Sequence, residues 1–161
     1  MHIWTLDKWE KFYNISDSKH RTGARLKFDK DVDPEVKRAC KEFLIWLRKE
    51  YFFPIRVPIY VKAAEQIKAK DGEMVSGTCF LPFDMHKEPY IRISAGDYYE
   101  LKNKRGKDNA LAAILGSIAH ELTHYFQWVN GLEYTLIGEE RQATQYVRYI
   151  LYEYAETREH P

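Results

Sequence analysis

His120-Glu121-Leu122-Thr123-His124 places two imidazoles four residues apart with a carboxylate between them. On a helix this spacing puts both rings on one face, with Cβ atoms roughly 5–6 Å apart, so both can hold one metal ion. Glu121 lies one step around the helix, where it can touch a metal-bound water without being a ligand itself. Two ligands and a general base are the parts needed for metal-assisted hydrolysis, and Zn(2+) suits the donor set. The alternative, a pair of hydrogen-bonded core histidines, leaves Glu121 without a role.

The element that carries these residues must be buried. Leu111, Ile114, Leu115, Ile118, Leu122, Tyr125 and Val129 form one apolar stripe at helical spacing. Ala113, Gly116 and Ser117 lie beside the histidines on the other side, so the helix is apolar or small nearly all round. It is expected to run from Asp108, its cap, to Val129, with Asn130-Gly131 as the stop. A catalytic zinc site needs a third protein ligand and one open position. In the longer pattern H-E-x-x-H-x-x-G-x-x-H the next places hold glycine and histidine; here they hold Gln127 and Asn130, so the third ligand must come from farther on. A second long helix is expected after Gly138, continuing to about Thr157 and packing back on the first, with Glu139 and Glu140 in its first turn. Ala143, Tyr146, Val147, Ile150, Leu151 and Tyr154 define its buried face. Glu139 and Glu140 flank the centre of that face about equally, so periodicity does not choose between them.

The region resembles the gluzincins, zincin-fold H-E-x-x-H metallopeptidases whose third ligand is a Glu on a later helix. Glu140-Arg141-Gln142-Ala143 is similar to their Glu-x-x-Ala signature, and the continuation to Tyr146 and Leu151 loosely resembles ImmA/IrrE-type peptidases. The resemblance spans about Leu111 to Leu151. It implies His120, His124 and Glu140 as metal ligands, Glu139 being the alternative, and Glu121 as the catalytic base. It implies a zinc hydrolase cutting peptide bonds in a protein or peptide substrate. In zincins the strand nearest the active helix usually holds the substrate as an added strand; by position that is Tyr90, Ile91, Arg92, Ile93 and Ser94. Tyr146 and Tyr134 are the nearest candidates for an oxyanion donor.

Upstream elements frame this centre. Leu6, Trp9 and Phe12/Tyr13 predict a short helix from about Leu6 to Asn14, and Arg25–Phe28 a short edge strand. Asp33 and Pro34 open a helix with Val36, Cys40, Phe43, Leu44, Leu47 and Tyr51 on one face. Ile55 to Val61 reads as a strand that Pro58 marks as edge or irregular. Asp71-Gly72 reads as a turn between this region and two further strands, Glu73–Leu81 and Tyr90–Ser94. The expected fold is α+β: a minimal zincin-like single domain over 1–161, with 1–30 as an N-terminal arm. A small, mostly antiparallel sheet would pack against the first-half helix, the active-site helix and the C-terminal helix.

Composition sets the surroundings. With 161 residues, 45% of them hydrophobic, the chain can bury a core. Its 25 basic and 24 acidic side chains leave a net charge of +1, which supplies no field for nucleic acid or anionic membranes. Lys102-Asn103-Lys104-Arg105-Gly106-Lys107 is basic but lacks interleaved aromatics and reads as a solvated loop. No apolar run approaches the roughly 20 residues of a membrane span, and Met1–Lys8 does not look like a signal peptide, so a cytoplasmic location is expected.

Two other readings compete. Peptide deformylases are small H-E-x-x-H enzymes with an upstream cysteine as third ligand, and Gly77-Thr78-Cys79 loosely resembles that arrangement. Against it, Ser76-Gly77-Thr78-Cys79-Phe80 only approximates Glu-Gly-Cys-Leu-Ser, Thr123 stands where that family has Asp, and its Gly-x-Gly-x-Ala-Ala-x-Gln segment has no counterpart. The other reading is a non-catalytic zincin-fold binding module. Structural zinc sites favour four ligands and cysteine, whereas two His, one Glu and an unspent Glu121 point to an open site.

Overall fold

The computed structural model describes all residues, Met1–Pro161. Two 3-10 turns, Ile3–Thr5 and Lys8–Lys11, precede β1 (Ala24–Phe28), α1 (Pro34–Glu50) and β2 (Val57–Lys62). A small hairpin, β3 (Ile67–Lys68) and β4 (Met74–Val75), leads to β5 (Gly77–Phe80) and β6 (Tyr90–Ser94). Three helices follow: α2 (Tyr98–Arg105), α3 (Lys107–Val129) and α4 (Leu136–Ala155). No helix is long and apolar enough to cross a membrane.

The fold is α+β, but the sheet corrects the expectation of mostly antiparallel pairing. Its order is β1-β2-β6-β5; the β1/β2 and β2/β6 pairs are parallel and only β5/β6 is antiparallel. The reason lies in α1, which connects β1 to β2 and carries the chain back to start the next strand in the same direction. Asp33 caps that helix, its carboxylate accepting from the Glu35 N–H at 2.8 Å. β1 is an edge strand, as Arg25–Phe28 suggested. β2 is not, despite Pro58. The Val57 N–H bonds to Gly23 on the β1 side, so the Pro58 nitrogen faces the β6 side, where pairing starts only at Ile59. The proline therefore removes no ladder bond.

Other boundaries move for identifiable reasons. Glu73–Leu81 is two strands in different sheets, separated at Ser76. The expected helix at Leu6–Asn14 is reduced to the turn at Lys8–Lys11. The basic run is the last turn of α2, where Lys102, Lys104 and Arg105 suit the helix dipole, and not a loop. Gly106, at φ 84°, breaks that helix and starts α3 with Asp108 inside the first turn. Thr135 caps α4 through the Gly138 N–H at 3.0 Å, which starts that helix at Leu136 instead of after Gly138.

The core joins both sheet and helices, and the N-terminus is part of it: Ile3 and Trp4 are buried. The Trp4 indole N–H donates to Thr123 Oγ1 at 3.1 Å and the Trp9 N–H to Asn130 Oδ1 at 3.1 Å. Tyr125 bonds both backbone groups of Ile55 through its hydroxyl, at 2.6 and 3.1 Å. Thus Thr123, Tyr125 and Asn130 find partners, as polar groups enclosed along a buried helix require. The turn from β6 into α2 depends on Gly96, whose N–H bonds Ala64 O at 2.9 Å. A Cβ there would overlap the Ala63 carbonyl oxygen and stand 2.6 Å from the Glu65 nitrogen, against backbone that cannot swing away. Gly96→Ala is expected to cost about 3 kcal/mol and lower the melting temperature by roughly 6–12 °C; calorimetry showing an unchanged midpoint would mean that this corner is not close-packed.

Candidate metal centre

Residues spaced four apart on α3 bring the rings of His120 and His124 to a centroid separation of 5.1 Å. The third donor arrives because α4 lies against α3 over Gly116. A Cβ at that glycine would stand 3.2 Å from Val147 Cγ1 and 3.6 Å from Leu151 Cδ1, so the absence of a side chain sets how closely the helices approach. One turn farther along, Glu140 reaches both imidazoles: Oε2 is 3.1 Å from His120 Nε2 and Oε1 is 2.9 Å from His124 Nε2. Ligand atoms of these three residues all lie within 4.8 Å of one another.

This donor set fits a metal ion. A tetrahedral centre with arms of roughly 2.0 Å separates its ligand atoms by about 3.3 Å, close to the two Glu140–His distances. Burial and the neighbouring His124 hold the His120 pKa below its ordinary value, against the opposing pull of Glu140. Neutral imidazole is the form that ligates. Nitrogen and carboxylate oxygen donors on one side, with the other side open to a cleft, leave room for a further ligand.

Glu121 turns toward β5 and is only 7% exposed. Gly77 makes room for it: a Cβ there would stand 3.1 Å from Glu121 Oε1 and 3.2 Å from its Cγ. Burial, and then the negative charge of Glu140, push the Glu121 carboxyl up to about 8 in the metal-free protein. A cation held by the three donors would oppose both effects and favour the carboxylate.

The site opens into a groove along β5. Its largest arm, about 910 Å³, has His120, Glu121 and Glu140 at one end and runs past Gly116, Ser117 and Ala113. A second arm of about 510 Å³ follows Gly77–Leu81 past His124. A third, about 400 Å³, continues between Leu81–Phe83 and Trp128. Shared lining residues join the arms: Glu121 and Glu140 the first two, His124 and Glu139 the last two. No residue of 1–30 lines any of them.

The other expected residues separate clearly. Glu139 lines the groove but lies outside the converging trio, which contains Glu140. Cys79 is also outside it; its thiol packs against the core beside Glu121, and burial raises its pKa well above normal. The Tyr146 hydroxyl is engaged with the N-terminus, accepting from the Ile3 N–H at 2.9 Å and donating to the Met1 carbonyl at 3.3 Å. Tyr134 is 41% exposed, and its hydroxyl accepts from Gln142 at 3.4 Å while keeping its own proton to donate. Tyr90, Ile91, Arg92, Ile93 and Ser94 form β6, whose two edges are occupied by β2 and β5. It has no free edge for an added strand; β5 has one. Sequence reading missed Gly77, for which no local signal exists, and the pairing of Gln127 with His124 at 2.9 Å, which their three-residue spacing on a helix could have suggested.

No protein-family description, curated protein or solved structure matches this chain.

Over the pH range from about 4.5 to 8 the folded, metal-free protein keeps the Glu121 proton that the unfolded chain has lost. Its stability therefore falls as pH rises through that window. Glu121→Gln removes this penalty: in chelator-treated protein it should add on the order of 3 kcal/mol at pH 7.5 and almost nothing at pH 4.5. Urea melts at the two pH values test this, and an equal effect at both would place the carboxyl in solvent.

Proposed function

We propose that this protein is a zinc-dependent peptidase, a small gluzincin-type variant of the zincin design acting in the cytoplasm on a protein or peptide. The observation that carries the reading is the convergence of His120, His124 and Glu140 beside a buried, unspent Glu121, at the midpoint of a groove. A purely structural metal site has no use for that carboxylate or for the groove.

The parts divide the work. When bound, zinc supplies a Lewis acid that polarises a carbonyl and acidifies water near neutral pH. The chain supplies the rest. The free edge of β5 offers backbone groups to an extended substrate, holding its scissile bond across the trio. Gly77, the first residue of that strand, packs against Glu121, so the base and the peptide-binding edge share one rigid contact. Glu121 takes a proton from the attacking water as the new C–O bond forms, then delivers it to the departing amine as C–N breaks. Tyr134, whose hydroxyl keeps a free donor, is the residue assigned to the oxyanion. The small residues Ala113, Gly116 and Ser117 leave the widest arm free for a bulky substrate side chain.

Zinc-loaded protein should cleave a peptide library read by mass spectrometry, and Glu121→Gln should lower the rate about 10²–10⁴-fold while retaining zinc. An uncleaved library would replace this reading with a zinc-holding binding module. Glu140→Gln should weaken zinc binding whereas Cys79→Ser should not; the reverse pattern would indicate a deformylase-like donor set.

A further inference from the structure

We infer that Gln127 is a positioning residue that preassembles the metal centre, orienting the His124 ring through its Nδ1–H and tying α4, with Glu140 on it, to α3. The inference rests on the metal-site part of the proposed function and is independent of whether peptides are cleaved.

Gln127 is three residues past His124 on α3, which places the two side chains on neighbouring positions of one face. It is 3% exposed and its amide is fully engaged. The amide nitrogen donates to the Glu139 carbonyl oxygen at 3.2 Å and to Gln142 Oε1 at 2.9 Å. The amide oxygen lies 2.9 Å from His124 Nδ1. Chemistry fixes which end is which. The Glu139 carbonyl can only accept, so the end of the amide facing it must be the NH₂ group. The oxygen is then the end facing His124, and an amide oxygen can only accept, so His124 Nδ1 carries the hydrogen. His124 Nε2, the atom that faces Glu140 at 2.9 Å, is then the nitrogen left to ligate, and any hydrogen it shares with the Glu140 carboxylate leaves when a cation takes its place. The ring is thereby held with Nδ1–H on Gln127 and Nε2 toward the other donors before any metal arrives.

The second half of the inference concerns α4. Glu139, whose carbonyl Gln127 holds, immediately precedes Glu140, and Gln142 lies in the following turn. One side chain on α3 thus grips the start of α4 on both sides of the third ligand. Glu140 itself is 63% exposed and has no burial to restrain it. Its reach to both imidazoles depends on where the backbone of α4 is held. Gly116 and the Val147–Leu151 contact set the separation of the helices; the Gln127 bonds set where along α3 the first turn of α4 sits. Gln142 extends the connection to the Tyr134 hydroxyl at 3.4 Å.

Two variants and two measurements test this. Gln127→Met keeps length and volume but has no hydrogen-bonding group; Gln127→Glu keeps an acceptor for His124 Nδ1–H and loses the donor to Glu139. In chelator-treated wild-type protein, ¹⁵N NMR of the side chain should show His124 with its hydrogen on Nδ1, whether or not Nε2 shares one with Glu140. Gln127→Met should lose that preference and bind zinc about 10–100-fold more weakly in competition with a chromophoric chelator. Gln127→Glu should keep the tautomer and recover part of the lost affinity. A wild-type His124 without hydrogen on Nδ1, or a Gln127→Met variant with wild-type tautomer and zinc affinity, overturns the inference, and the first of these needs no variant to fold. Wild-type protein that binds no zinc fails the metal reading itself, with the tautomer still deciding the role of Gln127. Protein that binds zinc and cleaves nothing fails only the peptidase reading.

Discussion

The approach of α4 to α3 across Gly116 is the contact on which the rest of the centre depends. Two histidines four residues apart make a bidentate patch on any helix, but a third donor must come from another element, at a distance set by what lies between. With Val147 packed so that even a methyl at position 116 would crowd it, the helices are close enough for one carboxylate to reach both rings. A bulkier residue there would move Glu140 away without touching any ligand. The site is therefore a packing problem before it is a coordination problem, which is the usual situation for ligands drawn from facing helices.

Glu121 shows the cost of such a site. Its carboxyl is buried between α3 and β5, against Gly77, with a second carboxylate nearby. In the metal-free protein these surroundings favour the protonated acid, and a cation at the three donors would reverse that preference. The surroundings that lower local stability without a metal are thus the ones a bound cation would make favourable. The remainder of the fold offsets the strain by pairing the other polar groups that α3 buries, with Thr123, Tyr125 and Asn130 tied to the N-terminal turns and to Ile55. Those bonds also explain why the N-terminal residues, which could have been a loose arm, join the core and stay away from the groove.

Much of the centre was legible in the chain. The spacing of His120, Glu121 and His124 defines their geometry once they are helical, and the apolar stripe from Leu111 to Val129 makes them helical and buried. The choice between Glu139 and Glu140 was not legible from periodicity, because adjacent residues flank a helix face symmetrically; the position of α4 along α3 breaks the tie. The state of the edges of the strand at Tyr90–Ser94 was hidden for a similar reason. Alternation in Tyr90–Ser94 signals a strand, yet nothing local says whether its edges are free, and pairing with β2 and β5 uses both. Parallel pairing of β1 with β2 was equally hidden, since direction depends on the crossover through α1 and not on the residues of either strand.

What the sequence determined by itself, then, is whatever acts through one helical turn: two imidazoles on one face, a carboxylate beside them, a cap at Asp33, a stop at Gly131. These follow from backbone periodicity and local hydrogen bonding, which need no distant partner. Only the tertiary structure decided which glutamate completes the trio, that Gly77 and not a polar residue meets Glu121, that Tyr146 serves the N-terminus, and that the free edge beside the trio belongs to β5. Each of those depends on the distance between elements far apart in the chain, and such distances are set by packing volume, which no short stretch of sequence encodes alone.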